Sequence, residues 1–187
     1  MLDDTITQAK RASAILERMR RWTKPRRQGK TQSSLTQAAD VVEGLLGPDA
    51  KRQNTTLVVK RDKNHDQTMI HADAVELEQV IFNLVRNALD AVQSVQDPTI
   101  KIETLLEDDR ISLTVADNGI GLPDTLKDRL FEPFVTDKPE GTGLGLALCQ
   151  RLVERMDGDI SAAQLDGWTI FTAKFPATDA ELQVAAQ

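Results

Sequence analysis

Three short stretches hold residue types that do chemistry when a fold brings them together. In the first, Asn83, Asn87 and Asp90 stand at i, i+4 and i+7, so a helix would put all three on one face. A row of carboxamide and carboxylate oxygens suits a hydrated Mg²⁺, which takes oxygen ligands and keeps waters and substrate phosphates around it. The second is Asp117-Asn118-Gly119-Ile120-Gly121, at the end of an alternating apolar run. A carboxylate there can accept from an exocyclic amine such as adenine's, while two glycines let backbone approach a flat ring. The third, Gly141-Thr142-Gly143-Leu144-Gly145, opens a helix. Glycine-rich backbone at a helix start turns free N–H groups and the positive dipole end toward an anion. It lacks the Gly-Lys-Ser/Thr ending of a Walker loop, and no strand leads directly into it as a dinucleotide fingerprint requires. Each stretch alone also fits a structural role: a solvated helix face, a strand ending in a tight turn, a loop before a helix.

The elements that must position these residues are legible in the apolar spacing. Asp73-Ala-Val-Glu76 is a capping-box-like start to a long helix reaching Val92, with Val80, Ile81, Leu84, Val85, Ala88 and Leu89 as its buried stripe. Before it, a helix starts at an N-cap Ser34 and is disturbed at Gly47-Pro48. Residues 55–59 and 68–71 read as strands joined by the polar turn 62–67. Residues 100–106 and 110–115 form a hairpin. An irregular stretch, 122–141, precedes a helix over 144–156 that Gly158 stops. A last hairpin, 160–164 with 168–175, turns at Asp166-Gly167. Interleaved helices and hairpins predict an α+β fold, a two-layer sandwich with helices on one face of a mixed sheet. Ahead of all this, residues 2–22 read as an amphipathic helix with Leu2, Ile6, Ala9 and Leu16 in its stripe, followed by a basic linker. The division predicted is a helix over 1–24, a linker over 25–30, the main domain over 31–177 and a frayed tail over 178–187.

Composition sets limits on partners. The chain has 187 residues, 40% of them hydrophobic, and a formal net charge of -6. The acidic balance disfavours whole-surface binding to nucleic acid or to an anionic membrane. Tyr is absent and Phe and Trp are few, which leaves little for stacking single-stranded bases. No apolar run approaches the roughly 18–20 residues of a membrane span. The single Cys149 excludes a disulfide framework, and a cytoplasmic protein is expected.

The ordered set Asn87, Asp117-x-Gly119-x-Gly121, Phe131-x-x-Phe134 and Gly141-x-Gly143-x-Gly145 resembles the N, G1, F and G2 boxes of sensor histidine kinases. That family lies within the GHKL superfamily of ATP-binding proteins, and the resemblance spans residues 31–176. It implies a Bergerat-type sandwich that binds ATP and Mg²⁺. Asn87 would be the principal Mg²⁺ ligand with Asn83 supporting it, and Asp117 would hold adenine in a pocket shaped by Gly119 and Gly121. Residues 122–140 would be the ATP lid, its base anchored by Phe131 and Phe134. Gly141, Gly143 and Gly145 would hinge the lid and, with Thr142 and Leu144, line the phosphates. Lys138 would be a mobile cation reaching the terminal phosphates.

The same resemblance makes helix 2–22 similar to the second helix of a dimerisation and histidine-phosphotransfer hairpin. The strings around Asn87 and Thr136 look most like sensor kinases of the nitrogen-regulation and C4-dicarboxylate type. Hydrolysing relatives in the superfamily place a Glu four residues before the Mg²⁺ Asn. Here that position is Asn83, and an amide is no general base at neutral pH, so transfer is expected in place of efficient hydrolysis. The two histidines, His65 in a turn and His71 at a strand end, are not on a helix that could present an acceptor. The acceptor helix is therefore expected from a missing upstream segment or in trans. A response regulator and a homodimer of the intact protein are the other partners implied. Two alternatives stand beside this reading: a non-catalytic ATP-dependent docking module and an anti-sigma-type serine kinase.

Overall fold

A computed structural model of the chain describes residues 32–60, 69–107, 109–138 and 141–178. The expected helix 2–22, the linker, the turn 62–67 with His65, and nearly all of the tail lie outside the described residues.

Helix α1 (Leu35–Arg52) starts where Ser34, in extended backbone, accepts a hydrogen bond from the Gln37 N–H at 3.2 Å. It runs on through Pro48, where the sequence suggests a disturbance. The proline ring must pass the carbonyl of residue 44, and both Gly44 and Gly47 have open space where a Cβ would be. Leu46, Asp49 and Ala50 are buried on either side, so packing carries the helix one more turn. Helix α2 (Ala74–Ala91) is capped by Asp73, whose Oδ1 accepts from the Val75 and Glu76 N–H groups at 2.8 and 3.3 Å. Glu76 pairs at 3.0 Å with Arg155 near the end of the third helix, α3 (Gly145–Arg155). The stripe Leu77, Val80, Ile81, Leu84, Val85, Ala88 and Leu89 is buried, each leucine, isoleucine and valine side chain contributing roughly 1.5–3 kcal/mol.

Two sheets form. A short antiparallel pair joins β1 (Gln32–Ser34) to β3 (Met69–His71), and the Ser33 hydroxyl donates to the Ala72 carbonyl at 2.8 Å. The main sheet has the order β2-β4-β5-β7-β6, from β2 (Thr56–Lys60), β4 (Thr99–Glu107), β5 (Arg110–Asp117), β7 (Trp168–Pro176) and β6 (Asp159–Leu165). Strand β2 runs parallel to β4 and all other pairs are antiparallel. Strands β2 and β3, adjacent in the sequence reading, belong to different sheets. All three described helices cover one face of the main sheet, which is the α+β two-layer sandwich. Inward rows alternate with outward polar ones, as in Ile111, Leu113 and Val115 on β5 and Phe171, Ala173 and Phe175 on β7. On the outer face the Lys101 ammonium lies 3.9 Å from the centroid of a Trp168 ring.

The termini of α3 and of the last hairpin show two uses of left-handed backbone. Asp157, with φ 57, ends α3, and the Asp157 and Gly158 N–H groups donate to the Glu154 and Val153 carbonyls at 3.1 and 3.0 Å. The left-handed residue expected at Gly158 is thus Asp157. Gly158 is needed for closeness instead, since a Cβ there would meet the Lys174 carbonyl oxygen at 2.5 Å. Asp166 and Gly167, at φ 50 and 80, make the tight turn between β6 and β7.

Candidate functional site

The inward row of β5 is Ile111, Leu113, Val115 and then Asp117, which is only 2% exposed. A carboxylate at the end of an apolar row loses its hydration, and burial pushes the Asp117 carboxyl up to about 6. The Gly119 N–H, donating to Oδ1 at 3.0 Å, and the charge of Lys138 both pull the other way. Asn118 is committed to structure: Oδ1 accepts from the Thr99 N–H at 2.7 Å and Nδ2 donates to the Asp97 carbonyl at 3.0 Å. The following turn lies against the end of α2. Ile120 N–H donates to the Ala91 carbonyl at 3.2 Å, and a Cβ on Gly119 would lie 2.6 Å from that same oxygen. Gly121 adopts φ 81, and a Cβ there would collide with the Gln164 carboxamide.

Ala91 is one helical turn beyond Asn87, so the glycine turn and the Asn87 row meet at one end of α2. The three polar residues of that row have different surroundings. Asn83 turns toward α3, where its side chain hydrogen-bonds the buried Cys149 thiol. Burial nonetheless pushes that thiol up to about 12, and its Sγ lies 3.8 Å from the Val80 carbonyl. Asn83 thus also has a partner in the helix packing. Asn87 is half-buried, and its carboxamide makes no hydrogen bond to another described residue. Asp90 accepts from Lys138 Nζ at 2.8 Å and lies 3.6 Å from Arg86.

The stretch after Gly121 contains a single 3₁₀ turn, Lys127–Arg129. The Phe131 ring meets Phe171 edge-on, with centroids 6.5 Å apart and planes at 87°. Phe134 does not anchor through its side chain, which is 77% exposed. Its backbone does the work: at φ 66 it donates its N–H to the Gly143 carbonyl at 2.9 Å. Gly143, at φ 65, lies so close that a Cβ would overlap the Phe134 backbone. A Cβ on Gly141 would overlap the Thr136 hydroxyl, which accepts from the Lys138 N–H at 3.1 Å. Thr142 Oγ1 accepts from the Leu144 N–H at 3.4 Å. At Gly145 a Cβ would meet nothing within 4 Å, and Leu144 supplies no side-chain cap to α3. No side chain caps the first-turn N–H groups of α3, which are the groups a helix start turns toward an anion. Lys138, expected as a mobile cation, pairs with Asp90 in the nucleotide-free chain.

Residues 72–179 match the family described as "Histidine kinase-, DNA gyrase B-, and HSP90-like ATPase". The chain belongs to this family. The sensory histidine kinase/phosphatase NtrB of Vibrio alginolyticus is 33% identical over 181 residues, covering 91% of this chain and 50% of its own length. Sensor protein FixL of Bradyrhizobium diazoefficiens is 33% identical over 180 residues, covering 95% of this chain and 35% of FixL. The chain thus spans half or less of these curated relatives. Among solved structures, the catalytic domain of histidine kinase ThkA is 27% identical with a TM-score of 0.71, covering 80% of this chain and 96% of that one. ThkA in complex with response regulator protein TrrA, at 24% identity and a TM-score of 0.69, covers 92% of this chain and 49% of that one, and speaks to the fold alone. The described domain is the ATP-binding catalytic domain of the sensor histidine kinase type.

The residues present fit the nucleotide this ATPase family implies. Asp117 offers a buried acceptor, Gly119 and Gly121 keep side chains out of the adjoining turn, and Gly145 leaves the start of α3 open. Asn87 offers an uncommitted oxygen for Mg²⁺. Among the described residues no cluster of three or more His, Cys, Asp or Glu could hold a metal alone, so a cation there would lean on phosphate oxygens. One site residue was missed in the sequence. Thr169, 3% exposed, lies directly opposite Asp117 on β7. The signal was present: Thr169 is the lone hydroxyl at the end of the row Phe171, Ala173, Phe175, just as Asp117 ends its own apolar row.

Proposed function

We propose that this chain binds Mg²⁺·ATP at Asp117 and Asn87 and presents the terminal phosphoryl group to a histidine on a partner helix. Bound ATP would supply the phosphoryl group, and Mg²⁺ would neutralise the charge on it. Everything else falls to the chain's own residues. Asp117 accepts from the base amine and Thr169 stands beside it. Asn87 gives an oxygen to the metal, the open N–H groups at the start of α3 receive phosphate oxygens, and Lys138 moves from Asp90 to the same anion. The observation that carries this reading is the meeting of the Asp117 glycine turn with Ala91, which puts the acceptor and Asn87 at one end of α2.

Transfer is favoured over hydrolysis because position 83 is an amide engaged with Cys149, so no carboxylate stands there to activate water. The acceptor helix would come from outside the described domain, in cis or in trans. A response regulator would receive the phosphoryl group next. The intact protein would be a homodimer, and this part of it would act in the cytoplasm. No described helix is long and apolar enough to cross a membrane. Identity to NtrB and the C4-dicarboxylate sensor DctB of Rhizobium meliloti, each at 33%, supports the nitrogen-regulation and C4-dicarboxylate subtype. Calorimetry tests the binding step: ATP affinity should require Mg²⁺ and collapse in Asn87→Ala and Asp117→Ala. Equal affinity in wild type and both variants would refute the assignment.

A further inference from the structure

Asp117, Thr169 and Gln164 form one lateral row across three neighbouring strands. Asp117 on β5 is in register with Thr169 on β7, and Thr169 is in register with Gln164 on β6. Directly paired residues of a sheet project to the same face, so all three belong to the face that carries the helices and the buried carboxylate. The preceding residues on β6 agree: Ile160 and Ala162, four and two positions before Gln164, pack against the core from that face. Strand β6 is the edge of the sheet, and Gln164 is exposed there. Its Cα is two strand spacings from that of Asp117, about 10 Å. Its amide nitrogen lies against Gly121, four residues past Asp117, where a Cβ would overlap it.

We propose that Gln164 is a base-reading residue, the third polar member of the row that recognises adenine. This rests on the nucleotide assignment made above. Asp117, an acceptor, selects the exocyclic amine. The Gln164 amide, returning over Gly121, donates to the ring nitrogen beside the amine-bearing carbon. That nitrogen is an acceptor in adenine and an N–H donor in guanine, so Gln164 adds to discrimination between the two bases. Glycine at 121 leaves that space to the carboxamide, and its φ of 81 favours glycine independently.

The test compares Mg²⁺·ATP and Mg²⁺·GTP binding by calorimetry in the full chain, its Gln164→Ala variant and its Gln164→Met variant. Met keeps the length of the side chain and removes the amide. Both variants should keep the melting temperature of the wild type, because Gln164 is exposed. Both should bind ATP about tenfold more weakly with GTP affinity unchanged, so the preference for ATP narrows by the same factor. ATP affinity at the wild-type value in either variant would overturn the proposal, as would equal losses for ATP and GTP. Wild-type protein with no measurable ATP affinity would overturn the nucleotide assignment itself, which separates the two failures.

Discussion

Lys138 Nζ donates to Asp90 Oδ2 at 2.8 Å, tying the stretch after Gly121 to the last turn of α2. The two side chains are 41% and 27% exposed, so the pair is worth no more than about 1 kcal/mol and is screened by salt. A bond that weak can be exchanged for a phosphate. Asp90 is in this sense a resting partner for the cation that the site needs elsewhere.

Replacing Asp90 with Ala should release Lys138 and raise ATP affinity about two- to fivefold at low salt. Lys138→Ala should lower affinity by a comparable factor. Titrations at low and high salt check both, and the two effects should shrink together as salt rises. The melting temperature of the nucleotide-free protein should barely move in either variant.

Asp117 sets a conflict between stability and binding. Its folded value is raised from 3.8 to about 6, so its contribution favours the fold fully below pH 3.8 and is lost as pH rises through about 6. Above that window, keeping the buried carboxylate charged costs about 3 kcal/mol. Asp117→Asn should therefore be more stable than wild type at pH 7.5 and lose that advantage in acid, while binding ATP far more weakly. Denaturant unfolding across pH 4–8 measures the first part, and calorimetry the second.

The two asparagines of α2 should separate cleanly. Asn83→Ala removes the partner of the Cys149 thiol and should cost about 1 kcal/mol of stability with the Mg²⁺ dependence of ATP binding retained. Asn87→Ala should leave unfolding unchanged and remove the Mg²⁺ dependence. Paired unfolding and binding titrations distinguish them.

Gly143 and Gly145 should also differ. Ala at 143 must adopt φ 65 against the Phe134 backbone, which should destabilise the protein by about 1–3 kcal/mol. Ala at 145 meets no protein atom and should stabilise α3 by up to about 1 kcal/mol. It should still weaken ATP binding, because its methyl group would occupy the open start of the helix. Thermal unfolding with and without ATP resolves the contrast.

How much of this was legible in the sequence depends on whether the signal was local. Ser34 and Asp73 as caps, the Asp166-Gly167 turn and the alternation of β5 and β7 are properties of a few neighbouring residues, and all were readable. The placement of β2 was not, because its parallel partner β4 begins 43 residues after it, at Thr99 against Thr56, and no local pattern records that pairing. Periodicity put Asn83 on the face of Asn87 but could not place Cys149 opposite it. Lys138 could be read as a mobile cation, but its pairing with Asp90, 48 residues away, could not. Phe134 resembled an aromatic anchor, yet its left-handed backbone turns the ring to solvent and leaves the hydrogen bond to Gly143 as the anchor.

The most direct test mixes the chain with a separately made helix carrying a candidate acceptor histidine and γ-labelled ATP, then asks where label goes. Acid-labile, base-stable label should appear on the helix alone and vanish with Asn87→Ala. Acid-stable label, label on His65 or His71 of the chain itself, or ATP binding with no transfer to the helix would contradict a histidine kinase catalytic domain acting on an acceptor outside it.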